Sequence, residues 1–176
     1  MVKNIGQSIL AVDQRLFLRL ATISNKKFAD GYFRFMTRSA DGYVYVLYGL
    51  TLFLIGDAIS LDMLAVAAAA FGMQIPLYLL IKNVVRRKRP FEKLVSVARK
   101  VKAPDRYSFP SGHTACAFLF GRLIVLHVVE LWPLMLFWAL SVAVSRVYLR
   151  VHFPGDVLAG ALLGLASAET ALYMFG

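Results

Sequence analysis

Three short segments of this 176-residue chain concentrate side chains that can handle a charged ligand. The first runs from Lys82 to Arg89-Pro90, the second is Pro110-Ser111-Gly112-His113, and the third extends from Ser145-Arg146 through His152 to Asp156. Lys82, Arg89 and Arg146 supply cationic donors, which suit a phosphoryl group because charge spreads over its oxygens in the transition state. A guanidinium matches phosphate with paired hydrogen bonds, whereas an ammonium acts as a point charge. Ser111 and Gly112 stand just ahead of an apolar helix. Serine is a good N-cap, glycine lets a backbone approach a ligand, and the N–H groups of a helix start point at an anion. Pro154 suits the first turn of another helix, so His152 also lies just before a helix start. An imidazole titrates near neutrality and can act as nucleophile or general acid. One of His113 and His152 can attack phosphorus while the other protonates the leaving oxygen. Asp156 follows His152 by four residues and is expected to hold the imidazole N–H and fix its tautomer.

Singly, each segment has a plainer reading. Juxtamembrane cations anchor helix ends, Pro-Ser-Gly is a common loop sequence, and a histidine at a membrane boundary is usually a polar rim residue. The chemical reading needs the three segments to meet, and the elements around them decide that.

The chain is 59% hydrophobic and 17% charged, against about 45–50% and about 25% in soluble domains. The apolar excess lies in runs at 42–57, 61–84, 112–130, 132–150 and 155–175, near the ~20 residues needed to cross ~30 Å of hydrocarbon. Pro76 interrupts the second run and is expected to kink it; Gly160 and Gly164, one turn apart in the last, suit close helix packing. Before these runs, Ile5, Ile9, Val12, Leu16, Leu20 and Ile23 recur at helical spacing, broken by Asp13, Arg15 and Arg19. That pattern is an amphipathic helix at the membrane interface rather than a span. Residues 26–38 repeat it, with Phe28, Tyr32, Phe35 and Met36 set against Lys26, Lys27, Arg34 and Arg38, and packing on the bundle suits both segments equally. The expected fold is all-α: a polytopic transmembrane bundle of about five spanning helices plus an N-terminal amphipathic helix. It forms a single domain over 1–176, with an amphipathic segment at 1–40, a transmembrane core at 41–176 and a basic active-site loop at 85–110.

That loop carries Arg86, Arg87, Lys88, Arg89, Lys93, Arg99, Lys100, Lys102 and Arg106 against only Glu92 and Asp105. Counting crossings from residue 1 puts the loop, the start of the 112–130 span and the 150–154 turn on one face. The three segments therefore converge, on the side of the N-terminus. Arg122 falls inside a span, where it suits either snorkelling to the interface or pairing with another helix; His127 has no accompanying motif and is given no role. The net charge of +10 flanks apolar runs, so the expected partners are membrane lipids and anionic headgroups, not nucleic acid. Cys116 is the sole cysteine, which excludes an internal disulfide and a cysteine-based metal site. No cleavable signal-peptide pattern is present at the start.

The three segments together resemble the type 2 phosphatidic-acid phosphatase superfamily, which also includes vanadium haloperoxidases and bacterial acid phosphatases. The family pattern is Lys, six residues, Arg-Pro; Pro-Ser-Gly-His; and Ser-Arg, five residues, His, three residues, Asp. All three parts match over residues 82–156 without gap or substitution. The resemblance implies a nucleophilic His152 that forms a phosphohistidine, Asp156 orienting it, and His113 protonating the leaving group. It implies that Lys82, Arg89, Ser111, Gly112 and Arg146 hold the phosphate, with no metal and no cofactor. Membrane members usually have six membrane helices, and here the amphipathic segment stands in place of the first.

The expected substrate is a lipid phosphate or diphosphate: undecaprenyl diphosphate, phosphatidylglycerol phosphate and phosphatidic acid all qualify. Its tail would enter between helices. The stretch Phe91–Lys102 suits either an interfacial helix over the entrance or a solvated loop. By analogy the protein is a multi-pass protein of a bacterial inner membrane, and the positive-inside rule favours a cytoplasmic active-site face. Two rivals share the anion pocket: a non-catalytic lipid-phosphate binding or transport protein, and a vanadate-dependent haloperoxidase. Oligomeric state has no signature in the sequence.

Overall fold

The computed structural model describes residues 2–22, 27–94, 97–103 and 105–176, with side chains of the first helix described from Leu10 to Leu20. The helices are α1 Val2–Thr22, α2 Lys27–Arg38, α3 Gly42–Ile55, α4 Ala58–Val85, a single turn α5 Pro90–Lys93, α6 Gly112–His127, α7 Trp132–Tyr148 and α8 Pro154–Phe175. A 3-10 turn at Val129–Leu131 leads into α7, and no strand occurs among the described residues.

Among the described residues, three stretches are long and apolar enough to cross a membrane: Ala58–Lys93, Val129–Tyr148 and Pro154–Phe175. The other two runs expected to span form the shorter apolar helices α3 and α6. The 14 residues of α3 rise about 21 Å at about 1.5 Å per residue. The α3–α4 turn is closed by Gly56 at φ 68, whose N–H donates to Leu52 O, and by Asp57, whose carboxylate accepts from Ser60 N at 2.7 Å. Helix α4 continues across Pro76.

Helix α8 lies against α4 and α6 around Val66, Ala70, Leu119, Leu123, Ala168 and Ala171. The glycines make this approach possible. A Cβ at Gly160 would lie 2.4 Å from Ser111 O, and one at Gly164 would lie 2.1 Å from Ala115 O. Both distances fall inside van der Waals contact, so α6 and α8 meet backbone to backbone just below the residues of interest. Arg122 of α6 pairs with Glu169 of α8, which supplies the partner its position demands. On the outer surface Leu54, Ile59, Leu80, Phe137, Leu158 and Leu162 are exposed, a continuous apolar coat appropriate to hydrocarbon.

The N-terminal helices combine the two readings open in the sequence. In α1 the inward face is Asp13 and Phe17, both buried, whereas Val12, Leu16 and Leu20 point outward. The apolar stripe thus faces the surroundings and the helix docks through one acid and one ring; Ile5, Ile9 and Ile23 lie outside the described side chains. In α2, Tyr32 donates to Ser141 Oγ of α7 at 2.9 Å and Phe33 packs on the Tyr148 ring at 4.3 Å, while Phe28 and Phe35 remain exposed.

The Phe91–Lys102 stretch is not a helix over an entrance. Among its described residues only α5 is helical, and the described chain beyond it is tied to its neighbours. Leu94 and Val97 pack with Phe17, Val147 and Phe153. Lys100 N donates to Leu149 O at 3.2 Å, and Lys100 Nζ pairs with Asp30 at 2.6 Å. These long-range anchors replace the local hydrogen bonds a helix would need.

Candidate active site

The ends of four helices meet at one boundary of the bundle: the C-terminal turns of α4 and α7 and the N-terminal turns of α6 and α8. Lys82 is on α4, Arg146 on α7, His113 on α6 and Asp156 on α8. Lys82, Arg89, Ser111, Arg146, His152 and Asp156 are all buried. So many polar side chains sunk together is unusual, because each must find partners or a ligand.

Arg89 immediately precedes α5, whose proline and Glu92 fix the turn: Glu92 Oε2 accepts from Arg89 N at 3.0 Å. Its guanidinium is spread over three acceptors. Nη1 donates to Val151 O at 2.7 Å, Nη2 to Asp105 Oδ1 at 2.7 Å and Nε to Asp105 O at 3.1 Å. Nη1 also stands 3.3 Å from His152 Nε2. Lys82 Nζ reaches Asp105 Oδ2 at 2.6 Å and the Tyr78 hydroxyl, and that hydroxyl donates to Asp105 Oδ2 at 2.8 Å. Asp105 thus bridges both cations of the first motif. Burial works against its charge, but the Lys82 ammonium, the Tyr78 hydroxyl and Arg89 outweigh it and bring its pKa down to about 2.

His152 sits in the α7–α8 turn and is 2% exposed. Its N–H donates to Arg146 O at 3.2 Å. Its Nδ1 lies 3.6 Å from Asp156 Oδ2, close enough for electrostatic support but longer than a hydrogen bond. The expected imidazole–carboxylate hydrogen bond is therefore replaced by other commitments of Asp156. Oδ2 accepts from Phe153 N at 2.8 Å and from Ser108 Oγ, and Oδ1 accepts from Arg87 Nη1 at 2.6 Å. Burial lowers the pKa of His152; the carboxylate opposes that, Arg146 and Arg89 reinforce it, and the value falls to about 3. The imidazole is therefore neutral throughout the neutral range, the form a nucleophile requires.

Arg146 is 2% exposed. Its Nη1 donates to Thr37 Oγ1 on α2, whereas Nε and Nη2 have no hydrogen-bond partner among the described residues. Its charge acts on both His113 and His152. His113 Nε2 is 2.9 Å from Asp41 Oδ1. Ser111 holds the N-cap position of α6 but does not cap it with its side chain; Oγ pairs with Thr114 Oγ1 at 2.9 Å, and Ser111 N donates to Asp156 O at 2.9 Å. Gly112 lies against Tyr78, and a Cβ there would be 3.0 Å from the ring. All eight residues singled out in the sequence thus belong to one cluster.

Several members had no distinguishing mark in the sequence. Arg87 looked like any other cation of the loop. Its guanidinium links Asp156 to Asp13 of α1, the latter at 2.5 Å, and stacks on Phe153 at 4.3 Å. Asp13 also accepts from Gly155 N at 2.8 Å, so the acid that broke the apolar stripe of α1 is its tie to the site. An acid in an otherwise apolar stripe was the available signal. For Asp105, Tyr78, Asp41 and Ser108 there was none.

Beside the cluster, a cavity of about 580 Å³ opens between α3, α4 and α6. Its walls are largely apolar, including Tyr45, Val46, Phe71 and Ile75, and Asp105, Gly112 and His113 stand at its polar end.

The fold is thus a helical membrane bundle with buried cations and two histidines gathered at one boundary. Residues 61–176 match the PAP2 superfamily, and the chain belongs to it. It is 39% identical over 103 residues to decaprenylphosphoryl-5-phosphoribose phosphatase of Mycobacterium tuberculosis, covering 56% of this chain and 54% of that one. It is 37% identical over 84 residues to undecaprenyl-diphosphatase of Sulfolobus acidocaldarius, covering 47% and 41%. The chain thus spans about half the length of the curated relatives it matches. Among solved structures it resembles LpxE of Aquifex aeolicus, with TM-score 0.77 and 26% identity over 90% of this chain and 93% of that one. It also resembles a PAP2-type phosphatidylglycerolphosphate phosphatase of Bacillus subtilis, with TM-score 0.75 and 25% identity over 95% and 86%.

Proposed function

We propose that this protein is a lipid phosphatase that hydrolyses a phosphomonoester or diphosphate of a membrane lipid. The observation that carries the reading is Arg146, whose buried Nε and Nη2 have no hydrogen-bond partner among the described residues. Buried donors without acceptors cost about 1–3 kcal/mol each, and an anion that accepts from them recovers that energy. In this reading His152, neutral and adjacent to Arg89, attacks phosphorus and becomes phosphohistidine. Asp156 stabilises the charge that develops on the ring. Lys82, Arg89, Ser111, Gly112 and Arg146 hold the phosphoryl oxygens, and His113 gives its proton to the leaving oxygen. Water then cleaves the phosphohistidine, with His113 as base. The His113 end of the site opens into the apolar cavity, so the leaving group carries the tail, which favours a lipid over a soluble ester.

The test is phosphate release in detergent from polyprenyl diphosphate, phosphatidylglycerol phosphate and phosphatidic acid, with EDTA present, for wild type and His152→Ala. Release by wild type alone is expected, together with an acid-labile phosphoenzyme. Equal release by both would remove His152 as nucleophile. Binding of the lipids without release would favour the transport reading, and halide oxidation with vanadate and peroxide would favour the haloperoxidase. The site is assigned to the cytoplasmic face of an inner membrane, on the side of the N-terminus. Lys93→Cys in a Cys116→Ala background should resist impermeant thiol reagents in intact cells; labelling there would reverse the assignment.

A further inference from the structure

We propose that Asp41 is a positioning residue for the leaving-group acid, so that the site holds two imidazole–carboxylate pairs rather than one. This rests on the phosphatase reading given above. Asp41 precedes α3 in the N-cap position, with extended backbone at φ −74 and ψ 150. An aspartate there normally accepts from the N–H groups of its own first turn. Asp41 makes no such bond; its carboxylate is turned to His113 Nε2 at 2.9 Å, 72 residues away in sequence.

The turn that presents it is fixed on every side. Tyr45 donates its hydroxyl to Ala40 O at 3.3 Å, Tyr43 to Arg38 O at 3.1 Å, and Trp138 Nε1 to Ser39 Oγ at 2.8 Å. Ala40 is buried. Two residues before this turn, at the end of α2, Thr37 accepts from Arg146. The carboxylate is therefore held in register with both the imidazole and the phosphate-binding guanidinium. Its surroundings need an anion. The positive charge of Arg146 on α7 acts on His113, and the other acid that acts on it, Asp105, is committed to Lys82 and Arg89. Without Asp41 a protonated His113 would have no carboxylate of its own.

The consequence for the reaction is specific. Asp41 accepts the Nε2 proton throughout, which leaves Nδ1 to face the leaving oxygen. As the P–O bond breaks, its electron pair stays on that oxygen and the Nδ1 proton moves to it. His113 is left neutral and Asp41 remains ionised. An alkoxide from a lipid is a poor leaving group and depends on this proton; a nitrophenolate does not.

The experiment compares a lipid phosphate with p-nitrophenyl phosphate in the same detergent for wild type, Asp41→Asn, Asp41→Glu and His152→Ala. For Asp41→Asn, kcat on the lipid is expected to fall about 100-fold, within the usual range for acid–base catalysis, with KM little changed. The aryl rate should fall at least about tenfold less than the lipid rate, and Asp41→Glu should recover part of the loss. Equal loss on both substrates would show a merely structural ion pair between α3 and α6, and an unchanged lipid kcat would remove Asp41 from the reaction; either overturns the proposal. The His152→Ala comparison separates the two readings. If that variant keeps wild-type rates on both substrates, the phosphatase mechanism fails and the role of Asp41 fails with it.

Discussion

At the scale of single residues, the site is a set of buried charges that partly satisfy one another. Asp105 is the clearest case. Its two oxygens take hydrogen bonds from Lys82 and Arg89, the same donors the proposed reaction assigns to phosphate. A substrate anion must share or displace that carboxylate. Asp105→Ala should therefore tighten inhibition by inorganic phosphate or vanadate by about tenfold, since charged hydrogen bonds are worth about 1.5–3 kcal/mol. Unchanged inhibition constants would mean that the anion does not use these two donors. His152 gives a second residue-scale prediction. Its pKa is about 3 folded, against 6.5 ordinarily. Below pH ~6.5 the unfolded chain takes up a proton that the folded chain refuses, so this group lowers stability progressively as pH falls toward 3. Above pH ~6.5 it contributes no slope. His152→Gln should accordingly lose less thermal stability than wild type between pH 6.5 and 5, measured by melting in detergent; parallel curves would contradict the buried neutral imidazole.

At the scale of elements, the contact between α6 and α8 sets the spacing of the two histidines. Gly160 and Gly164 let the helices touch at Ser111 O and Ala115 O. An added methyl must push the helices apart or strain them, at a cost of about 1–3 kcal/mol. Gly164→Ala and Gly160→Ala should both melt earlier. Gly160→Ala should also lose activity beyond its loss of stability, because the backbone it displaces belongs to the turn proposed to bind phosphate and Ser111 N is bonded to Asp156 O. Equal activity in the folded fractions of the two variants would show that the turn tolerates the shift. Helix α1 acts at the same scale. Through Asp13 it holds Arg87, and through Arg87 it holds Asp156, so a helix that reads as an interfacial anchor also braces the site.

At the scale of the whole molecule, the proposed reading sends the lipid tail into the cavity between α3, α4 and α6. Gly42 lines it, and a Cβ at that position meets no atom within 4 Å. Gly42→Phe should therefore add bulk without strain. It should raise KM for long-tailed lipid phosphates while leaving a short-chain analogue nearly unaffected, as steady-state kinetics in mixed micelles would show. An equal effect on both chain lengths would place the tail elsewhere.

The helical membrane bundle was legible in the residues alone, because five apolar runs admit few other solutions in hydrocarbon, where every backbone polar group must be paired within the segment. The same runs also placed Lys82, Arg89, Ser111, Gly112, His113, Arg146, His152 and Asp156 together, because alternating crossings leave their segments on one face. The partners were decided by tertiary structure alone. Which of nine loop cations reaches Asp156, which acid bridges Lys82 and Arg89, and that Asp41 turns away from its own helix toward His113 all depend on contacts between residues far apart in sequence. Periodicity and spacing carry information about faces along one element. Ion-pair partners are selected by the three-dimensional meeting of different elements, in a low-dielectric interior where a mispaired charge is costly.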